Sequence, residues 1–194
     1  AKKVFGSDSL AGKKVAVQGV GQVGMHLIEH LVQEDADVVV TDMFPEKVKD
    51  VVSRFNVKAV DMEDIYDVDM DIFAPCALGG SVNSGTIERL NCALIAGAAN
   101  NQLKDEARHG YMLRDKGITY APDFLINAGG LINVYNEYGG SYNRKRVLEQ
   151  VEKIYETCFR VLTQAESDGV SSQEAAIRMA EDRINTIGRI RMSR

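Results

Sequence analysis

A short apolar strand that runs directly into three spaced glycines constrains this chain more than any other feature. Residues 15–24 read Val-Ala-Val-Gln-Gly-Val-Gly-Gln-Val-Gly, which places Gly19, Gly21 and Gly24 in a Gly-x-Gly-x-x-Gly pattern. A second apolar run ends in Asp42, 18 residues beyond the last glycine, close to the distance that such sites use. A strand, a glycine-rich turn, a helix and an acid at this distance are typical of a dinucleotide site.

Each residue of the pattern has a mechanical role in such a site. Gly19 permits the tight turn out of the strand, Gly21 lets the backbone approach a pyrophosphate, and Gly24 lets the helix pack closely on the sheet. The helix presents its first amides to the phosphates. Asp42 is predicted to bind a ribose hydroxyl and to repel a 2′-phosphate, which favours NAD over NADP. The alternative is a glycine-rich turn in another kind of α/β protein.

The composition is that of an ordinary globular protein, with 45% hydrophobic and 26% charged residues. A net charge of −5 argues against a nucleic-acid partner. No apolar run approaches the roughly 20 residues that span a membrane, and the N-terminal residues lack the apolar stretch of a secretory signal. The three cysteines fit neither a metal knuckle nor a disulfide framework. We therefore expect a cytoplasmic protein.

Strand and helix patterns alternate through residues 1–142. Strands are predicted at 14–19, 37–42, 58–60, 71–77, 93–97 and 118–121, with helices near 22–33, 45–55, 83–90 and 105–116. This alternation predicts an α/β fold with a doubly wound parallel sheet, a Rossmann-type NAD-binding domain.

From about residue 143 the pattern changes to two amphipathic helices, so that 143–194 is predicted to form a C-terminal helical pair. The first helix ends at Asp168-Gly169, and Ser171 with Glu174 fits a capping box that begins the second. We expect the pair to pack on the sheet domain or on a neighbour that this chain lacks.

Three loops follow the predicted fourth, fifth and sixth strands, at 75–80, 97–102 and 122–130. Ligands of open α/β sheets bind beyond the carboxyl ends of the strands, where these loops are expected. Asn100 and Asn101 could hydrogen-bond a carboxamide or a carboxylate without adding charge. Asparagine and glycine also build ordinary turns, and this second interpretation stays open for each loop.

The loop sequences carry a resemblance to a known family. Pro-Cys-Ala-Leu-Gly-Gly at 75–80, Gly-Ala-Ala-Asn-Asn-Gln-Leu at 97–103 and the run at 120–134 closely resemble the Glu/Leu/Phe/Val dehydrogenases, and most of all the members that act on leucine. The similarity covers essentially the whole chain. It implies oxidative deamination of an L-amino acid to the 2-oxo acid and ammonia, with NAD as the hydride acceptor.

The resemblance also implies roles for single residues. It places the cofactor against Gly19, Gly21, Gln22, Val23, Gly24, Asp42, Cys76, Ala77, Ala99, Asn100 and Asn101. Asn101 is implied to contact the substrate as well, and Leu131 and Val134 to form the wall of its side-chain pocket. Because both wall residues are apolar, a glutamate carboxylate there would be buried without a partner. An aliphatic or aromatic substrate is favoured, with leucine and phenylalanine both left open.

Family members carry their catalytic lysines and aspartate in an N-terminal substrate domain, which this chain lacks. We therefore expect no catalytic residue here, NAD binding without turnover, and partners that include the L-amino acid, the missing catalytic domain and further copies in a homo-oligomer. No metal site is expected, because no set of acid or cysteine ligands is evident for His26 and His30, which lie one helical turn apart. The alternative is a stand-alone NAD-sensing module, for which an amino-acid-shaped pocket would have no use.

Overall fold

The central feature of the fold is a parallel sheet of six strands. The computed structural model describes residues 1–138 and 142–192, with side chains up to residue 187. The strands are β1 (Lys14–Gln18), β2 (Asp37–Thr41), β3 (Lys58–Ala59), β4 (Ile72–Pro75), β5 (Leu94–Ile95) and β6 (Thr119–Tyr120). They are ordered β3-β2-β1-β4-β5-β6, so the winding reverses between β1 and β4. Such a reversal opens a crevice at the carboxyl ends of these two strands.

Helices cover both faces of the sheet. They are α1 (Lys2–Phe5), α2 (Gln22–Gln33), α3 (Pro45–Phe55), α4 (Ser84–Arg89), α5 (Glu106–Asp115), α6 (Asp123–Ile126), α7 (Gly129–Tyr138), α8 (Arg144–Asp168) and α9 (Ser172–Met192), with a 3-10 turn at Asp64–Tyr66. The predicted doubly wound α/β fold is confirmed.

The core lies in two layers because alternate residues of a strand point to opposite faces. Val15 and Val17 of β1 pack with Ile28 of α2 and Val51 of α3. Ala16, between those valines, joins the other layer, which contains Phe73 of β4, Ile87 and Leu90 of the α4 region, and Leu113 of α5. The sheet is therefore buried on both sides, as its continuous apolar strands predict.

The terminal helices pack on each other and on the β6 edge of the sheet. Ala165 of α8 contacts the layer formed by Ala175 and Ala176 of α9. The hydroxyl of Ser172 donates to the carbonyl of Tyr120 at 2.6 Å, which ties α9 to β6. This edge is thereby covered, which removes an unpaired strand edge from solvent.

Helix boundaries follow the capping residues of the sequence. Asn143 accepts from the amide of Arg146 at the start of α8, and Gly169 ends that helix in the left-handed conformation with φ of 65°. The predicted capping box of α9 is only half formed. Ser171 Oγ accepts from the Glu174 amide at 3.2 Å, while the Glu174 carboxylate accepts instead from Tyr111 and Arg178.

Three short elements differ from the sequence prediction. The segment 123–126, expected as a loop, is the helix α6, and α1 and the 3-10 turn had no predicted counterpart. Each is only three or four residues long, too short for a periodic pattern to be read.

Candidate functional site

The turn after β1 is built by glycines that no larger residue could replace without movement. Gly19 has φ of 105°, and a Cβ there would lie 2.7 Å from the Ala77 backbone nitrogen. A Cβ at Gly24 would overlap the carbonyl oxygen of Gly19. The chain therefore leaves β1, turns against the end of β4 and enters α2 with backbone packed on backbone.

Gly21 differs from these two because it faces open space. It is the N-cap residue of α2, and a Cβ placed on it would meet no atom within 4 Å. It carries no side chain to cap the first turn, so the amides of Gln22 and Val23 have no intrahelical acceptor. Together with the helix dipole, these amides form a site that favours an anion.

The Asp42 carboxylate connects the end of β2 to the glycine turn. One oxygen accepts from the Val20 amide at 2.8 Å and the other from the Phe44 amide at 3.0 Å. Each oxygen keeps a further lone pair, since a carboxylate oxygen can accept twice. Asp42 can therefore hold the turn and still accept a hydrogen bond from a ligand hydroxyl.

A largely apolar cavity of about 420 Å³ opens beside the turn. Its floor includes Gly19, Gly21 and Asp42, and its sides are formed by Met43, Phe44, Met62 and Leu78. Leu78 is 80% exposed and Met43 61% exposed, although both are apolar. Apolar side chains that stand open around a cleft are typical of a site that receives a flat ring.

Two polar atoms at this cavity have no protein partner among the described residues. They are Oε1 of Gln18 and Oγ of Ser81, both buried in residues that line the cavity. The other end of the Gln18 amide donates to the Tyr66 hydroxyl at 2.7 Å. Neither residue was among the site residues predicted from the sequence, although Gln18, a polar residue between the buried strand residue Val17 and Gly19, gave a usable signal.

Cys76 and Ala77 lie at the end of β4, directly against the glycine turn. The Cys76 amide donates to the Gln18 carbonyl at 2.7 Å. Burial raises the pKa of the Cys76 thiol. The thiol is therefore neutral near pH 7 and adds no negative charge beside the anion site.

The loop after β5 lies on the other side of β4 and carries Ala99, Asn100 and Asn101. Asn101 has φ of 53°, in the left-handed region. The Asn100 carboxamide oxygen accepts from Asn127 Nδ2 at 2.6 Å, which joins this loop to the segment before α7. The two asparagines therefore lie at the carboxyl edge of the sheet, as predicted from their place after a strand.

Leu131 and Val134 stand on α7 and are open to solvent. Their exposed fractions are 74% and 59%. Because they are three residues apart they share one helical face. Together they form an exposed apolar wall on α7, and within the described residues both side chains remain mostly exposed.

A larger cavity of about 510 Å³ lies away from the glycine turn, between β6, α8 and α1. Its two cations are already engaged: Lys3 pairs with Glu166, and Arg114 donates to the Gly169 carbonyl at 2.6 Å. Across the described ranges, histidine, cysteine and acidic residues nowhere form a group of three suited to a metal. None of the helices described is long and apolar enough to cross a membrane.

Comparison with known proteins identifies the family. The family model for Glutamate/Leucine/Phenylalanine/Valine dehydrogenase matches residues 41–189, which is most of the chain. The chain belongs to this family. Membership predicted from the three loop motifs is thereby confirmed.

The similar proteins are named as dehydrogenases of different amino acids. The chain is 53% identical to a leucine dehydrogenase of Thermoactinomyces intermedius, over 98% of this chain and 52% of that protein. It is 43% identical to a phenylalanine dehydrogenase of Caldalkalibacillus thermarum, over 96% of this chain and 51% of that protein. The crystal structure of L-tryptophan dehydrogenase from Nostoc punctiforme superposes with a TM-score of 0.93 at 49% identity, covering 97% of this chain and 56% of that one. The chain thus spans about half the length of the curated relatives it matches.

Proposed function

We propose that this chain is the NAD-binding part of an amino acid dehydrogenase that converts L-leucine or another branched-chain amino acid to the 2-oxo acid and ammonia. The observation that carries the proposal is the uncapped first turn of α2 at Gly21, open to a cavity that Asp42 also lines. An anion site and a ribose acceptor, at the point where the sheet winding reverses, together fit a dinucleotide.

In this proposal the pyrophosphate lies at the amides of Gln22 and Val23, and Asp42 accepts from the adenine ribose. The apolar slot at Met43, Met62 and Leu78 receives the adenine ring. Its apolar sides and its buried unpartnered oxygens support a ligand with both a flat face and polar edges.

The nicotinamide end then crosses β4 to the loop that carries Ala99, Asn100 and Asn101. NAD supplies the hydride acceptor for such a reaction, and in this proposal Asn101 orients the substrate beside it. Leu131 and Val134 supply an apolar wall for the amino acid side chain. Relatives named for leucine and for phenylalanine are both similar to this chain, so phenylalanine is the alternative substrate.

The rest of the active site is proposed to come from a second domain and from assembly. Because the chain spans about half of its relatives, we infer that the catalytic groups lie in an N-terminal domain that faces the α7 wall. We further propose that the full protein forms a homo-oligomer. The chain itself is then expected to bind NAD without turnover.

Titration calorimetry of the chain with NADH and with NADPH tests this proposal. We expect heat with NADH and weaker binding of NADPH. The variant Asp42→Asn removes the charge and keeps one acceptor, so it should reduce the affinity ratio of NADH to NADPH by about tenfold, the effect of about 1.4 kcal/mol. Because its NH₂ group faces either the Val20 or the Phe44 amide, urea unfolding of the same variant checks that the turn is intact. Absence of NADH binding, or tighter binding of NADPH by the unaltered chain, would refute the proposed function.

A further inference from the structure

We propose that Gln102 and Asp123 are positioning residues that fix the loop at 97–101 for the nicotinamide end of the cofactor. This inference rests on the proposed function, because it names residues that serve the same site. Both residues are buried, and neither lines the cavity at the glycine turn. They act on the loop from beneath, through hydrogen bonds.

Gln102 closes the loop on itself. Its side chain is 0% exposed, and Nε2 donates to the carbonyls of Gly97 at 2.7 Å and Ala99 at 3.0 Å. These two acceptors fix the orientation of the amide, because a carboxamide oxygen could not bond to either carbonyl. One side chain thereby sets the path of the backbone that leads to Asn101.

Asp123 joins this loop to the one after β6. One carboxylate oxygen accepts from the backbone amide of Gln102 at 3.0 Å, and the other accepts from the backbone amide of Phe124 at 2.7 Å. Only a carboxylate offers an acceptor on both sides of this position, since an asparagine would turn an NH₂ group toward one of the two amides.

Tyr120 anchors Asp123 to the sheet. The Tyr120 hydroxyl accepts from the Asp123 amide at 3.2 Å. Burial raises the pKa of Tyr120, and the neighbouring Asp123 charge raises it further, so the hydroxyl stays protonated. The loop is therefore bonded to a rigid part of the fold.

The arrangement carries a cost that packing alone does not explain. Oε1 of Gln102 is buried and has no partner within the part of the chain that the structure describes. A buried acceptor without a partner is destabilising, and a leucine of similar size would avoid that cost. Asn101 meanwhile holds a left-handed backbone, and its carbonyl accepts from the Gly80 amide at 2.8 Å. A fold that tolerates both features at one loop is consistent with a loop whose shape serves a site.

The test compares NADH with ADP-ribose, which keeps the adenosine and the pyrophosphate but lacks the nicotinamide. Titration calorimetry of the chain should show tighter binding of NADH than of ADP-ribose. In Gln102→Leu the ratio of NADH affinity to ADP-ribose affinity should fall by about tenfold. The affinity for ADP-ribose itself should stay within about twofold, because the substitution releases only the loop at 97–101. Asp123→Asn should act in the same direction, and it serves if Gln102→Leu does not fold.

Gln173→Leu is the matched control. Gln173 is also a buried glutamine with an unpartnered Oε1, and it donates to Glu106 at 3.0 Å, between α9 and α5. It should leave the ratio of the two affinities unchanged. An unchanged ratio of the two affinities in Gln102→Leu, whether both affinities fall equally or neither changes, would overturn the inference. So would a wild-type chain that binds NADH no more tightly than ADP-ribose. A wild-type chain that binds neither ligand would refute the proposed function itself.

Discussion

The two ends of the crevice are built in opposite ways. At the near end, around the glycine turn and Asp42, the turn itself packs backbone on backbone and has its shape because side chains are missing at Gly19 and Gly24. At the far end, around the loop at 97–101 and α7, the shape depends on buried polar side chains, and the apolar wall is open. A phosphate site needs amides and room, whereas a site that orients a substrate needs placed side chains.

The comparison also separates what each end can do within this chain. The near end has a floor and apolar sides and the uncapped first turn of α2. Under the proposed function it therefore binds its part of the cofactor with residues of this chain alone. The far end presents one wall, at Leu131 and Val134. Variants that act on one end and spare the other can therefore break or sharpen this account.

The largest expected effect comes from adding one methyl group at the near end. Gly24→Ala should destabilise the chain by about 3 kcal/mol, because the new Cβ overlaps the Gly19 carbonyl and backbone must move. Urea unfolding measures the loss. Gly130→Ala on α7, where a Cβ meets nothing within 4 Å, is the far-end control and should be neutral or slightly stabilising. Equal losses in the two variants would contradict the comparison.

A smaller effect, on binding instead of folding, is expected at Gly21. Gly21→Ala should lower NADH affinity by at least about tenfold, because the methyl group occupies space that the pyrophosphate needs. Unfolding stability should stay within about 1 kcal/mol, the range of a changed N-cap residue. Calorimetry and urea unfolding of the same sample check both parts. Unchanged affinity would show that the phosphates lie elsewhere.

Acid should first weaken the contact between α4 and α5, outside both ends of the crevice, through His109. Its Nδ1 accepts from the Asp105 amide at 2.9 Å, and Nε2 lies 3.1 Å from Ser84 Oγ. Burial lowers the pKa of His109 below its ordinary 6.5, and the nearby Arg108 and Lys104 also lower it, while the charge of Asp105 opposes the change. Protonation of Nδ1 would place its N–H against the backbone N–H of Asp105, so that two donors face each other and the hydrogen bond is lost.

Because the folded pKa lies below the unfolded value, the stabilisation is complete above pH 6.5 and is lost as the pH falls below it. The slope is at most about 1.4 kcal/mol per pH unit for one proton. His109→Asn cannot titrate, so its stability should change less between pH 7 and pH 5. Arg89 lowers the pKa of the Asp67 carboxyl, and Lys3 lowers that of Glu166, so protonation of these two groups reduces the folding stability only at lower pH. If the unfolding stabilities of the wild type and His109→Asn change in parallel with pH, His109 is not the group that titrates.

The near end could be predicted from sequence because its information is local. The strand, the glycines and α2 lie within 20 consecutive residues, and the predicted bounds of α2 at 22–33 match the structure. The ends of α8 were equally readable, since the Asn143 side chain caps its first turn and Gly169, in the left-handed conformation, ends it.

The far end could not be predicted in the same way, because its contacts join distant residues. Gln102 and Asp123 are 21 residues apart, and no periodic pattern links them. The family resemblance pointed to Asn100 and Asn101, which the loop presents, but not to the buried residues beneath them. Likewise α6 is a single turn closed by backbone hydrogen bonds to Pro122 and Asp123, and a loop was the natural expectation for residues 122–130.

The smallest effect is expected for the open wall. The double variant Leu131→Ala with Val134→Ala should change unfolding stability by less than about 0.5 kcal/mol per site, because both side chains are mostly exposed. NADH affinity of the chain should also be unchanged. Urea unfolding and calorimetry check these values. A loss above about 2 kcal/mol would mean that the wall is packed within this chain.

The most direct test of the central claim is a crystal structure of this chain with NADH. We expect the pyrophosphate within hydrogen-bond distance of the Gln22 and Val23 amides, the adenine ribose on Asp42, and the nicotinamide at the loop that carries Asn101. Nucleotide bound instead in the cavity between β6 and α8, or with its phosphates away from the first turn of α2, would contradict the account.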